Sequence, residues 1–145
     1  MRAVFATGLL ALAASCAAFS SAAAQPVTLT VQVTGVESSE GKVVVGLCPR
    51  SFDEKDCTAG QSVAAKAGTM RFTFRAVPSG SYAVAVYHDV NGNGRLDKQL
   101  IGVPAEPYGF SNDVGRIGPP SFNGARVAVT APATTINVRL ARIGR

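Results

Sequence analysis

Thr69-Met70-Arg71-Phe72-Thr73-Phe74-Arg75 alternates without a break, apolar at 70, 72 and 74 and polar between them. Successive side chains of a strand point to opposite faces. A period of two therefore predicts a strand with Met70, Phe72 and Phe74 inward and Arg71, Thr73 and Arg75 toward water. Downstream, Val77-Pro78-Ser79-Gly80 is a turn, because proline presets its own φ and glycine accepts conformations that other residues avoid. Residues 81–88 then form a strand with Tyr82, Val84 and Val86 on one face and Ala83, Ala85 and Tyr87 on the other. Small alanines behind a valine face predict cover on both sides, so this strand is central. Upstream, 27–33 alternates in the same way, 38–41 is a turn, 42–47 is a β-branched run, and 61–66 is a weaker strand. Strands over 125–130 and 134–140 close the chain, and no segment beyond the N-terminal leader offers a convincing amphipathic helix.

Short alternating strands joined by Gly/Pro turns predict an all-β chain, an immunoglobulin-like or prealbumin-like β-sandwich with one long irregular loop region. The apolar phase of its strands assigns Phe72, Val84, Val86, Ile136 and Val138 to the core. The irregular region is 89–124, where Gly, Pro, Asn and Asp dominate and no period survives. Loops this long in compact domains are normally functional or disordered. Tyr108, Phe110 and Phe122 predict that this one is packed. The motif Tyr108-Gly109-Phe110-Ser111-Asn112 suits a binding rim or a loop pinned by two rings, and pinning is preferred because large aromatics supply buried area first.

The irregular region opens with Asp89-Val90-Asn91-Gly92-Asn93-Gly94-Arg95-Leu96-Asp97. Oxygen-bearing side chains recur at loop positions 1, 3, 5 and 9, glycine stands at 6, and Arg95 at 7 offers a backbone carbonyl. A tightly curled backbone aims alternate residues at one centre, and calcium takes hard oxygens at about 2.3–2.6 Å. The pattern therefore predicts calcium on Asp89, Asn91, Asn93, Arg95 and Asp97, at an extracellular-grade affinity of about 10⁻⁴–10⁻³ M. Leu100 stands where helix-flanked calcium loops carry a bidentate Glu, and Glu106 is a candidate third carboxylate that folds back. The competing reading is turn chemistry alone, since Asn-Gly occurs at 91–92 and 93–94 and is a strong hairpin signal.

Residues 1–24 read as a signal peptide: Met1-Arg2, an apolar stretch over 3–18, and Ala22-Ala23-Ala24 as a small-residue cleavage pattern. Residues 25–145 then form a single domain, and no later run is apolar enough to span a bilayer. These features exclude a polytopic membrane protein and a multidomain enzyme, and they place the chain in the periplasm or outside the cell. Ala13-Ala14-Ser15-Cys16 loosely resembles a lipobox, which leaves a lipid anchor on Cys16 as the minority alternative. Cys48 and Cys57 remain as a pair in the exported chain, and an even count in an oxidising compartment predicts a disulfide. The net charge of +5 is scattered rather than striped. Nucleic-acid binders concentrate basic charge and interleave aromatics, so no nucleic-acid partner is expected.

Three stretches carry a resemblance. They are Pro78-Ser79-Gly80-Ser81-Tyr82-Ala83-Val84, then His88-Asp89 with the rest of the loop to Asp97, then Gly102-Val103-Pro104-Ala105-Glu106-Pro107-Tyr108-Gly109-Phe110-Ser111-Asn112. With Pro120-Ser121-Phe122 and Ala125, their order is similar to the secreted bacterial family called domain of unknown function 2141, over about 27–140. The resemblance implies an envelope-associated β-sandwich and carries no assigned activity.

The sequence therefore predicts an exported, non-catalytic β-sandwich, calcium-stabilised, that binds an envelope protein or glycan. The alternative is a small periplasmic hydrolase or transferase using His88 with Asp89 or Glu106. His88 is the only histidine, and no G-x-S-x-G elbow or phosphate-binding glycine loop is present. A third reading is a purely structural periplasmic component.

Overall fold

The computed structural model describes residues 25–100 and 102–142. The leader expected over 1–24, and with it Cys16, lies outside the described residues. Among the described residues, eight strands run in chain order: β1 Val27–Val36, β2 Lys42–Cys48, β3 Ala59–Ala64, β4 Gly68–Val77, β5 Gly80–Asp89, β6 Tyr108–Phe110, β7 Val127–Val129 and β8 Ala133–Arg139. They form a three-stranded sheet, β4-β1-β8, and a five-stranded sheet, β3-β2-β5-β6 with β7 also on β5. Strand β1 pairs antiparallel with β4 and parallel with β8. Among the described residues, no helix is long and apolar enough to cross a membrane.

The chain is an all-β sandwich. One face of each sheet meets the other in a single apolar core. Phe72, Val84, Val86, Ile136 and Val138 all lie in it, none more than 4% exposed. On β4 the alternation holds as read: Phe72 and Phe74 are buried, Met70 is half-buried, and Arg71, Thr73 and Arg75 are exposed.

Strand β5 is central, as its alanines predict. One edge pairs with β2 over 83–89. The other pairs with β7 over 80–82 and with β6 over 85–87. Between those two partners, the Val84 N–H donates to Ser111 Oγ at 2.9 Å. Past them, the His88 N–H donates to the Pro107 carbonyl at 2.8 Å.

The outer face of this sheet is covered at one end. Cys48 pairs with Ala83 on that face, and both are fully buried. The cover is the 48–57 loop, closed by the Cys48–Cys57 disulfide with Cα atoms 3.9 Å apart. Phe52 on this loop sits 4.4 Å from the Phe110 ring and 5.3 Å from that of Phe122.

Two expectations are corrected in detail. The 89–124 stretch is not wholly irregular: it contains β6 and the start of a one-turn helix, α1, Phe122–Ala125. Three residues of β6 are too few to display a period. Gly109 inside it answers a close approach, since a Cβ there would fall 2.3 Å from the Arg139 carbonyl oxygen. The third strand lies at Ala59–Ala64 rather than 61–66, because its register against β2 runs from Lys42↔Ala64 to Leu47↔Ala59.

Phe72→Ala should destabilise the fold by about 3–5 kcal/mol in urea denaturation, as expected for a fully buried ring. A loss below about 1 kcal/mol would place Phe72 outside the core. For the cross-link, alkylation without reductant should leave Cys48 and Cys57 unlabelled. Reduction should remove about 2.5–3 kcal/mol, the chain-entropy value for so short a loop. Two alkylated thiols in unreduced protein would contradict the bond.

Candidate functional site

The site begins where β5 ends. His88 and Asp89 are adjacent on the strand, so their side chains leave on opposite faces. His88 faces inward opposite Val43 and is fully buried. Its Nε2 lies 2.8 Å from the Glu40 carbonyl oxygen. A carbonyl only accepts, so Nε2 carries the proton. Nδ1 has no hydrogen-bond partner among the described residues. The turn that supplies Glu40 is pressed onto the strand end: a Cβ on Gly41, whose φ is +67°, would lie 1.9 Å from the Asp89 carbonyl oxygen. Only glycine tolerates both that φ and that approach.

Asp89 is fully buried. Its Oδ1 accepts from the Asn93 N–H at 3.0 Å and its Oδ2 from the Gly94 N–H at 2.8 Å. Glu106 is 6% exposed and does fold back onto the loop. Oε1 accepts from the Val90 N–H at 2.9 Å and Oε2 from the Asp97 N–H at 3.2 Å. A small hairpin makes this return: Lys98 bridges Pro104, Gln99 donates to the Val103 carbonyl, and Ala105 donates to that of Asp97. Leu100 stands fully exposed near its tip. Four oxygens of two buried carboxylates thus hold four loop N–H groups. Each bond is charge-assisted and stronger than a neutral one.

Above this clamp, Asn91, Asn93 and Asp97 bring their side chains together. Asn91 Nδ2 donates to Asp97 Oδ2 at 2.6 Å, and Asn93 Nδ2 lies 2.9 and 3.0 Å from the two Asp97 oxygens. The amide oxygens turn to the backbone, that of Asn91 to the Asn93 N–H and that of Asn93 to the Arg95 N–H. Arg95 itself is exposed. The Tyr87 hydroxyl donates to the Gly94 carbonyl at 3.2 Å. Burial pushes the Tyr87 phenol above its ordinary range, with the Asp89 charge adding to the effect.

Of the residues expected to act together, the structure gathers Asn91, Asn93 and Asp97 at one point, with Asp89 and Glu106 beneath them as the clamp. It does not gather His88 with a carboxylate in an accessible cleft. His88 bonds a carbonyl inside the sandwich, while Asp89 and Glu106 bond backbone amides of the loop.

The sequence reading named Ser111 within the Tyr108–Asn112 motif but gave it no role of its own. Ser111 is fully buried, accepts from Val84 and donates to the Ala125 carbonyl at 2.5 Å. The sequence reading did not read the backbone of Asn112 or single out Asp113, which take left-handed φ values of 57° and 58°. The signal was an Asn-Asp pair inside a glycine-rich stretch, because these two residue types tolerate that region best.

The Asp97 carboxyl is held below its ordinary value of 3.8 by the hydrogen bonds from Asn93 first and Asn91 second. A depressed folded value means that its contribution is complete above the unfolded value and disappears as pH falls through the folded one. Asp56 follows the same direction, lowered by Ser51 and then Arg50, so both groups act in one window. Stability should therefore drop below about pH 4. Asp97→Asn should flatten part of that drop, measured as melting temperature against pH. Superimposable acid limbs for the variant and the wild type would contradict the assignment.

The family model described as an uncharacterized protein conserved in bacteria, DUF2141, matches residues 31–137, a span that holds the core strands, the disulfide loop and the 89–97 loop. No curated protein and no solved structure matches the chain. Covering most of the sequence, the family match agrees with the ordered motifs from Pro78 to Ala125, and the chain belongs to the DUF2141 family.

Proposed function

We propose that this protein is exported through its leader and works in the periplasm or outside the cell as a non-catalytic β-sandwich. In this reading it holds an envelope glycan or protein, and calcium stabilises the loop formed by Asp89, Asn91, Asn93, Arg95 and Asp97. One observation carries the reading. Asp89 and Glu106 hold the 89–97 backbone with four charge-assisted bonds, so the loop is shaped before any ion arrives. A preformed loop loses little conformational freedom on binding.

Of the three carboxylates near the loop, those of Asp89 and Glu106 are taken by backbone N–H groups, and that of Asp97 meets the Asn91 and Asn93 side chains. Rotating the Asn91 and Asn93 amides exchanges nitrogen for oxygen at the point where they now meet Asp97, and that point becomes an oxygen cage. The placement of His88 supports a non-catalytic role. Its ring is enclosed, and its proton-bearing nitrogen is bonded to the Glu40 carbonyl. A general acid or base must reach its substrate.

Differential scanning fluorimetry tests this. Calcium at about ten times its Kd, roughly 10 mM at the weak end of the range, adds about 1.4 kcal/mol and raises the melting temperature by a few degrees. Magnesium should do so poorly, because it demands a smaller octahedron and keeps its waters. Asp97→Asn should abolish the rise and Asp53→Ala in the disulfide loop should leave it intact. No shift in the wild type at that concentration would return the loop to turn chemistry alone.

A further inference from the structure

A second site lies beyond Glu106, where β6 and the chain after it meet the end of β8. A cavity of about 120 Å³ is lined there by Tyr108, Phe110, Asp113, Arg116, Arg139 and Arg142, among others. Arg116 Nη1 and Arg139 Nη2 approach the same oxygen, Asp113 Oδ2, at 3.0 and 3.4 Å. Arg142 Nε bonds Glu37 at 3.0 Å, and its Nη1 bonds the Ala105 carbonyl. Three guanidiniums carry about fifteen N–H donors in planar forks, and those contacts use four of them. Within the lining itself, Asp113 is the single carboxylate against three arginines. The arginine side chains are 36%, 55% and 28% exposed in sequence order, so they are partly held by the fold yet reachable.

Hydrogen bonds tie part of the frame of this cavity, in which Asn112 and Asp113 sit side by side in the left-handed region that these residue types tolerate. Ser111 is buried against Val84 and Ala125, Asn112 Nδ2 reaches the Gly124 and Arg126 carbonyls, and the Tyr108 hydroxyl donates to the Gly115 carbonyl. A depression of about 400 Å³ adjoins the cavity, shares Asp113 and Arg139 with it, and presents Thr34, Thr135 and Asn137. The smaller space holds about four water volumes, the size of an anionic group. The larger one falls in the range of small-ligand sites.

We propose that the arginine-lined cavity binds the carboxylate, sulfate or phosphate of an acidic polysaccharide, with the adjoining sugar ring against Thr34, Thr135 and Asn137. This rests on the reading that the protein holds an envelope glycan, and it names the class of glycan and the place. Guanidinium forks match oxyanions two bonds at a time, and hydroxyl and amide side chains pair with sugar hydroxyls. The Thr34 and Thr135 hydroxyls and the Asn137 amide stand beside the charged groups, where the hydroxyls of an acidic sugar would reach them.

The test is thermophoresis of the full exported chain with alginate oligomers, heparin, neutral dextran, polyglutamate and inorganic phosphate. The wild type should bind alginate or heparin, more weakly as salt rises, and should ignore dextran. An Arg116→Ala, Arg139→Ala double variant should lose at least tenfold in affinity with its melting temperature kept, while Arg71→Ala on exposed β4 should bind as the wild type does. Undiminished binding by the double variant overturns the site and leaves the glycan reading standing. A wild type that binds neither alginate nor heparin overturns the acidic polysaccharide, and one that ignores dextran as well overturns the glycan reading with it. Equal binding of dextran overturns the anionic group as the determinant. Tighter binding of polyglutamate, or full competition by phosphate at the alginate concentration, overturns the polysaccharide as the source.

Discussion

Strand β5 is paired along both edges, packed on its inner face and partly covered on its outer one, and the rest of the structure follows from how each side is closed. The inner face packs on the other sheet through Val84 and Val86. One edge is taken by β2, and the other is shared by β7, Ser111, β6 and Pro107 in succession. Part of the outer face lies under the disulfide loop and its aromatic contacts. A strand paired along both edges over 83–88 and packed on its inner face resists a register shift, because a one-residue slip would turn every side chain to the wrong layer. The chain therefore leaves Asp89 in a fixed direction, with the Gly41 turn pressed against it. That fixed exit lets one buried carboxylate organise the loop that follows.

Two regions of opposite charge flank the segment that returns from this loop. On one side are Asp89, Asp97 and Glu106. On the other are Arg116, Arg139 and Arg142. The segment from Ala105 to Tyr108 connects them physically: Glu106 clamps the loop, while the Ala105 carbonyl takes a bond from Arg142 and Tyr108 exchanges backbone bonds with Ala141. The arginines are held by Asp113 and Glu37 at partly exposed positions, where single ion pairs contribute little to stability. Their arrangement is better understood as positioning than as a source of fold energy.

Much of the fold was legible in the sequence because it rests on period. The alternation at 69–75 assigned Phe72 and Phe74 to the core, and the alanines at 83 and 85 marked β5 as central, with its outer face covered at Ala83 and half-buried at Ala85. The cysteine pair was legible from count and compartment. What covered the outer face was not, because Phe52, Phe110 and Phe122 come from distant segments and share no period. Strand β6 was hidden by its length and by Gly109, which reads as a breaker yet answers a backbone contact with Arg139. In the 89–97 loop the spacing of oxygens was legible, as was the return of Glu106. The use of Asp89 and Glu106 was not. Spacing marks which residues converge, while the donors they meet depend on a hairpin at 98–104 that leaves only weak turn signals.

The end of β5 and the 89–97 loop form one unit held by the Asp89 and Glu106 carboxylates. Native-state amide hydrogen exchange tests this most directly, because protection is read at each N–H separately. The N–H groups of Val90, Asn93, Gly94 and Asp97 should exchange slowly and in concert, close to the behaviour of Val86 within β5. Exchange at the rate of an open loop, as expected for the exposed Leu100, would show that the carboxylates do not hold the loop and would contradict the account.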